Sequence, residues 1–387
     1  MNNIVIVEGK RTPIGNFLGG LSSFSSVELA THTVNAIVGN TLSYVNMIQN
    51  IIVGCVLSAG LKQAPARQVV INSLLNNNTG AFTVNKVCGS GMQSIILAAQ
   101  QLSTNPMTCI LAGGMESMSQ APYLLKNMRK GKKFDSDTCY DHMLLDGLED
   151  AYTQKSMTFF AELHAHCLGY SREKLDEFAT KSLIKAKYAV ENNCFASEIV
   201  EIKKETQCCL KQDELPVKAK IEKISTLPPI LSKTGVITAA NASAISDGAA
   251  MCLMTSKENA IYHNLPIQAT ILGWSEFVDK PENFITAPVD AIKKLLHQLS
   301  WQVSDVDLWE VNEAFAVVPL YVIEELNIDS NKINVFGGAC ALGHPIGCSG
   351  SRIVITLMNA LQYYGKKRGI ATVCIGGGEA LAIAIEV

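Results

Sequence analysis

Only 17% of the 387 residues are charged, and 32 Lys and Arg face 35 Asp and Glu for a net charge of −3. A protein that neutralises nucleic-acid phosphates needs a basic face, so nucleic acid is excluded as the main partner, while a local basic pocket is not. Long apolar runs are missing as well. No stretch approaches the ~18 to 20 uninterrupted apolar residues of a spanning helix, and no membrane partner is expected. The chain opens on two asparagines followed by Ile4-Val5-Ile6-Val7. There is no charged-then-apolar leader and no Arg/Ser-rich amphipathic extension, which predicts a protein that stays in the cytoplasm. The twelve cysteines form no CxxC pair and have no regular spacing, which argues against a disulfide framework and for reduced thiols.

Apolar residues, by contrast, make up 48% of the chain. With so few charges beside them, burial between subunits as well as within one is expected, hence a homo-oligomer, dimer or tetramer. The length allows two or three core-bearing units at roughly 150 residues each. Short β-prone runs at 4–7, 51–57, 81–87 and 108–112 alternate with helical stretches at 26–38 and 67–75, an α/β pattern. From 115 to about 239 the pattern breaks into a basic run (126–133), an acidic segment, a charged helix (171–191) and a proline-interrupted tail, which predicts an inserted loop domain. The α/β pattern then returns. The stretches 108–114 and 372–378 are both apolar strands ending in glycines. The segment around Cys88 and the glycine-rich stretch 336–350 both feed an Ala/Leu/Ile helix, so a duplicated α/β unit is expected.

Four places in this layout carry chemistry. In TVNKVCGSG, Cys88 stands between a predicted strand (81–87) and a predicted helix (92–102), beside glycines that permit a tight turn. Unpaired amides at a helix start favour a thiolate and lower a cysteine pKa from ~8.5. The competing reading is a small buried hydrophobe. His344 lies between Gly343 and Pro345 in GGACALGHPIGCSG, a setting that positions a ring, although a lone histidine is more often structural. Cys340, His344 and Cys348 have metal-like spacing, but the intervening glycines and proline break the single helix that would align them, so no metal is expected. Asn312 follows the apolar run DLWEV at a strand end, where it either anchors a water or caps the strand. Cys374 precedes Ile375 and three glycines, a second thiol suited to proton transfer.

VNKVCGSGMQS, AGGMESMSQAPY, TAANASAISDGAA, NEAFA, GGACALGHPIGCSG and CIGGG, in this order, resemble the motifs of the thiolase family, and the similarity extends over the whole chain. The resemblance is nearest to the cytosolic acetoacetyl-CoA type. It implies an α/β fold of two similar halves in a five-layer αβαβα arrangement. One half would span 1–114 plus 240–265, an inserted loop domain 115–239, and the second half 266–387. It implies a reversible condensation of two acetyl-CoA to acetoacetyl-CoA and CoA through an acetyl-cysteine, with thioesters of coenzyme A as substrates and no separate cofactor. By motif, Cys88 would be the nucleophile, His344 its base and Cys374 the second acid/base. His344 and an Asn312-held water would serve one oxyanion, and the amides of Cys88 and Gly376 the other. Ser243, Met157 and Phe315 would contact the pantetheine arm and the acyl group. The alternatives are a 3-ketoacyl-CoA thiolase for longer chains and, in another class, a non-catalytic acyl-CoA binder.

The sequence also departs from the family. Ser156-Met157-Thr158-Phe159-Phe160 stands where HMGTT is typical, putting CoA contacts and acyl room in question. Ala240 and Ala244 replace common glycines, and Glu379 stands where Met, Gln or Gly is usual. A carboxylate there either points inward and raises a thiol pKa or points outward. Lys218, Lys220 and Lys223 are basic candidates for the CoA phosphates in a stretch too dissimilar to choose among them.

Overall fold

The computed structural model describes residues 4–39, 42–131, 133–134, 136–204 and 207–387. Its main sheet is built from β1 (Ile4–Arg11), β2 (Ile48–Gly54), β3 (Gly80–Val84), β4 (Cys109–Ser117), β5 (Ser246–Ser256), β6 (Ala269–Val278), β7 (Leu308–Val311), β8 (Arg368–Ile375) and β9 (Glu379–Glu386). The spatial order is β7-β8-β9-β6-β1-β5-β4-β2-β3, with the short strand Gly15–Asn16 alongside β5. The flanking helices are α1 (Ser26–Gly39), α2 (Pro65–Asn72), α3 (Ser90–Thr104), α4 (Met157–Cys167), α5 (Arg172–Glu191), α6 (Ala287–Leu299), α7 (Val317–Leu326) and α8 (Ile346–Tyr363).

The layering follows from α8. Every residue from Ile346 to Leu361 is buried, and a helix hydrophobic all round must lie between other layers. It packs against α3, against β4 and β5 on one side, and against β7 and β8 on the other. Helices α1 and α2 cover the outside of the first half and α6 and α7 the outside of the second. The result is five layers, αβαβα, with α3 and α8 in the middle.

The two halves share one plan. The first runs β1-β5-β4-β2-β3 and the second β6-β9-β8-β7, extended by a parallel bridge from Trp309 to Ile333. Residues 109–114 and 372–375 of the two similar stretches lie in β4 and β8, which hold equivalent places, and α3 and α8 are the equivalent helices; the glycines differ, since Gly113 and Gly114 lie inside β4 whereas Gly376 to Gly378 follow the end of β8. The halves join where Ile4, Val5 and Ile6 pair with Ile271, Thr270 and Ala269. Strand β4 continues to Ser117, and the non-sheet segment that follows returns at β5, carrying α4, α5 and two small hairpins. In its basic run, Lys126 lies 4.6 Å above the Tyr140 ring and Arg129 and Lys130 are exposed, while Lys132 lies outside the described residues. No helix among the described residues is long and apolar enough to cross a membrane.

One expectation at the strand ends needs correction. Strand β3 stops at Val84 instead of reaching Val87, and Asn85 to Gly89 form a turn. The alternating apolar pattern through Val87 is misleading because Asn85 Oδ1 accepts from the Val87 amide at 3.0 Å, and the Ser90 hydroxyl accepts from the Lys86 amide at 2.9 Å. Side-chain bonds of this local kind compete with the ladder.

The insertion is anchored by a buried ion cluster. Arg11 on β1 donates to Glu198 at 2.5 Å and to both oxygens of Asp213 at 2.7 and 2.9 Å, with all three residues fully buried. Glu198 also accepts from Thr356 and Asn359 on α8. Arg11→Met would leave two buried carboxylates without their cation. The expected loss is about 3–5 kcal/mol in urea unfolding, and a loss below about 1 kcal/mol would show that the cluster does not hold the insertion in place.

Candidate active site

The turn 85–89 is small and strained. Val87 has φ of 45°, a conformation that costs a β-branched residue energy and survives only where the surroundings enforce it. Enforcement comes from the bonds of Lys86 and Val87 already described, and from the amides of Gly89 and Ser90 donating back to Lys86 and Val87 at 3.0 and 3.1 Å. The strained residue directly precedes Cys88. This delivers the half-buried thiol to the start of α3.

The other half brings its own turn to the same place. Strand β8 ends in Cys374 and Ile375, and Gly376 to Gly378 reverse the chain into β9. Gly377 and Gly378 have φ of 98° and 85°. Ile375 abuts Gly89 so closely that a Cβ there would stand 2.4 Å from its Cδ1. Cys88 and Cys374 are both free thiols, and the negative charge of one raises the other. Met157, at the start of α4, lies 3.4 Å from where a Cβ on Gly376 would be, and Val87 lies 3.7 Å from it. Met157 is thereby at the two thiols' turn.

His344 is placed by backbone. Its amide donates to Ala244 at 2.9 Å, and Gly343 before it has φ of 107° with Ser246 pressed against its Cα. Nδ1 lies 2.5 Å from the Ser349 hydroxyl, which itself donates to Pro345 O at 3.0 Å. That pattern assigns the ring proton to Nδ1 and leaves the Nε2 lone pair free. Nε2 is buried and has no partner, as do both side-chain atoms of Asn312, which is fully buried behind the end of β7. Each such orphaned atom costs on the order of 1–3 kcal/mol, a cost a fold tolerates where a ligand or water is meant to bind.

Charge is scarce in the site. Burial pushes the Cys88 thiol up to about 11, opposed by the amides of Gly376 and of Cys88 itself, with Glu116 adding to the rise. Burial likewise raises Cys374 and lowers His344 to about 3. The expected low-pKa thiolate is therefore not the resting state: loss of hydration outweighs the amides at the helix start. The two amides that oppose the shift are the ones that the motif resemblance marks as oxyanion donors.

Several supporting residues escaped sequence reading. Buried Glu116 accepts from the amides of Val56, Leu57 and Gly347, at 3.0, 3.0 and 2.9 Å, which ties the His344 loop to β4. Glu313 accepts from Ser182, Asn334 and the Cys340 amide and fixes the segment after Asn312. The only sequence signal was a carboxylate inside an apolar motif, which is also what a strand-end residue looks like. The Cys340 thiol donates to Glu313 O, and no group of three or more His, Cys, Asp or Glu among the described residues is placed to hold a metal. Glu379 pairs with Lys86 at the rim. His164 on α4 is half-buried with Nδ1 3.0 Å from Phe160 O, whereas His166 is exposed beside Glu162. Ser156 caps α4 by accepting from Phe159 N at 3.3 Å, and Phe160 is buried.

Ser243 and Phe315 share one backbone junction: the Ser243 amide donates to Ala314 O at 2.9 Å, and Ala242 bridges Phe315. The Phe315 ring is buried against Phe284, so it backs that junction. Nearby Ala240 lines a cavity of about 320 Å³ together with Lys218, Lys220, Lys223, Leu183 and Cys340. The three candidate lysines thus share one cavity.

The family models for the thiolase N-terminal domain and the thiolase C-terminal domain match residues 4–258 and 265–387. An acetyl-CoA acetyltransferase of Saccharomyces cerevisiae is 42% identical over 395 residues, covering 99% of each chain. Among solved structures, the Acat5 thiolase of Ascaris suum in complex with coenzyme A superposes with a TM-score of 0.93 at 39% identity, over 99% of each chain. The human mitochondrial 3-ketoacyl-CoA thiolase in complex with CoA does so with 0.94 at 35%, over 100% of this chain and 98% of that one.

A raised Cys88 pKa makes a direct prediction. In the free protein, carbamidomethylation of Cys88 by iodoacetamide rises nearly tenfold per pH unit from about pH 6 to about pH 9 with no plateau, because only the thiolate reacts. A plateau near neutrality, followed by peptide mapping to Cys88, would show a stabilised resting thiolate instead.

Proposed function

The chain belongs to the thiolase family, and on that premise we propose that it is an acetyl-CoA C-acetyltransferase, condensing two acetyl-CoA to acetoacetyl-CoA and CoA, reversibly. The observation that carries the residue assignment is the set of unpartnered buried atoms on His344 and Asn312 in a site with two free thiols. In the first half-reaction His344 Nε2 takes the Cys88 proton as the sulfur attacks the thioester carbonyl. The new Nε2–H, with a water held by Asn312, then donates to the oxygen where negative charge develops. Collapse breaks the bond to the CoA sulfur and leaves the acyl group on Cys88; the departing CoA thiolate takes the Cys374 proton and leaves as the free thiol, so Cys374 becomes a thiolate. In the second half, that thiolate removes a methyl proton from acetyl-CoA, and the carbanion attacks the acetyl-cysteine, whose oxygen is held by the amides of Cys88 and Gly376. Collapse then expels the Cys88 sulfur, which recovers its proton from His344. In reverse, Cys374 protonates the departing acetyl carbanion.

A raised thiol pKa suits both cysteines. A thiolate formed only when substrate is present is not exposed to other electrophiles, and a strongly basic Cys374 is a better match for a weakly acidic methyl group. Ser243 and the cavity bearing Lys220 and Lys223 offer places for the pantetheine arm and phosphates of CoA, and no cofactor beyond the thioesters is required. Met157 at Gly376 limits the room beside the turn after Cys374, which favours acetyl over longer acyl groups. A homo-oligomer, dimer or tetramer, is supported by the outer edge of β3, which no strand among the described residues pairs, and by Tyr123, Leu125 and Phe134, whose exposures are 66%, 56% and 92%. A cytoplasmic, reducing setting keeps both thiols available, and supply of acetoacetyl units to lipid metabolism is the corresponding role.

The likeness to a 3-ketoacyl-CoA thiolase makes degradation of longer chains the competing reading. Thiolysis separates the two. The proposal expects kcat/KM for acetoacetyl-CoA to exceed that for 3-oxohexadecanoyl-CoA by about 100-fold or more, equivalent to ~2.7 kcal/mol; a preference for the long chain would overturn it.

A further inference from the structure

Lys86 lies two residues before Cys88 in the strained turn of the first half, but its side chain belongs electrostatically to the second half. Nζ is 2.6 Å from Glu276 on β6 and in direct contact with Glu379, the first residue of β9. Glu379 pairs across the hairpin with Ile375, between Cys374 and Gly376 in register and sequence. One ammonium group therefore ties the turn that presents Cys88 to the turn that presents Cys374 and the Gly376 amide. The contact is sheltered: the side chains of Lys86 and Glu379 are 20% and 27% exposed, and Glu276 is the more open partner at 47%.

Two features suggest that a tether is needed here. Val87 is held at φ of 45°, so the turn stores strain that would relax if its neighbour Lys86 were released. Gly89 meets Ile375 so closely that any drift of the turn changes the approach of Cys88 to the Gly376 amide. Oxyanion stabilisation depends on donor positions to within about 0.5 Å. Glu379, moreover, is the residue by which this chain departs from the usual Met, Gln or Gly.

We infer that Lys86, clamped between Glu276 and Glu379, is a positioning residue that fixes the Cys88 turn against the Cys374–Gly376 turn and so sets the oxyanion hole for acyl transfer. The inference rests on the proposed acyl-transfer reading. Because Glu276 and Glu379 both lie in the second half, either one can hold the lysine when the other is lost. The clamp is redundant on the acid side and unique on the basic side.

That asymmetry makes the test. In the full-length protein, Lys86→Met is expected to lower kcat for acetoacetyl-CoA thiolysis at least tenfold while KM for acetoacetyl-CoA and CoA changes less than about twofold. Glu276→Gln and Glu379→Gln alone should each cost no more than about threefold, and the two together should reproduce Lys86→Met. Lys86→Arg should restore most of the rate. Circular dichroism and the unfolding midpoint confirm that each variant is folded. Full kcat in a folded Lys86→Met, additive small effects of the two glutamine changes, or a loss confined to KM would overturn the inference, the last by making Lys86 a contact of the anionic substrate. Failure of the underlying reading has a separate signature: wild-type protein with no thiolysis at all. The rate of Cys88 alkylation by iodoacetamide, which needs no turnover, should still change at least threefold in Lys86→Met if the turn moves.

Discussion

Everything in the site depends on how closely α3 and α8 approach each other. A Cβ on Gly91 would stand 2.8 Å from the Ser351 amide, and one on Gly350 would stand 2.5 Å from the Met92 amide. The two central helices therefore cross backbone to backbone. They are the equivalent helices of the two halves, and each carries chemistry at its N-terminal end, Cys88 just before α3 and His344 just before α8. Contact at this crossing sets the separation of Cys88 and His344. Interior packing at this density leaves no slack, so a side chain added at the crossing would be felt at both residues. Glu116 adds a second constraint, since one buried carboxylate binds both the segment after β2 and the Gly347 amide.

A site between two sheet halves is largely buried, and burial decides its electrostatics. Loss of hydration favours the neutral forms, which is why both thiols are raised and the imidazole is lowered. The same burial strengthens each hydrogen bond to a charge placed there. The charges that anchor the insertion, Arg11 with Glu198 and Asp213, are paired, whereas His344 Nε2 and both side-chain polar atoms of Asn312 are buried without a partner.

Much of this was legible in the sequence because it is local. The strands of the two halves and the segments that carry Cys88, Asn312, His344 and Cys374 are short and recognisable from composition, while the roles given to those four residues come from the motif resemblance. The long α5 is an example, within one residue of the expectation, while β4 starts one residue late and runs five residues further, to Ser117. What was not legible depends on distant neighbours. The end of β3 at Val84 is decided by Asn85 and Ser90 side chains bonding to the backbone, and alternation through Val87 concealed it. The direction of the Cys88 shift could not be read from its helix start because its burial comes from packing against two apolar clusters assembled from elsewhere in the chain. Glu379 was ambiguous for the same reason: its partner Lys86 is 293 residues away in sequence.

The central claim is that Cys88 takes the acyl group while the rest of the site stabilises charge. Intact-protein mass spectrometry after brief exposure to acetoacetyl-CoA, with peptide mapping, tests it most directly. The account predicts a mass gain of ~42 Da located on Cys88, released when CoA is added, as a ping-pong acyl-enzyme requires. An adduct on Cys374, or none in a folded protein that binds CoA, would contradict it.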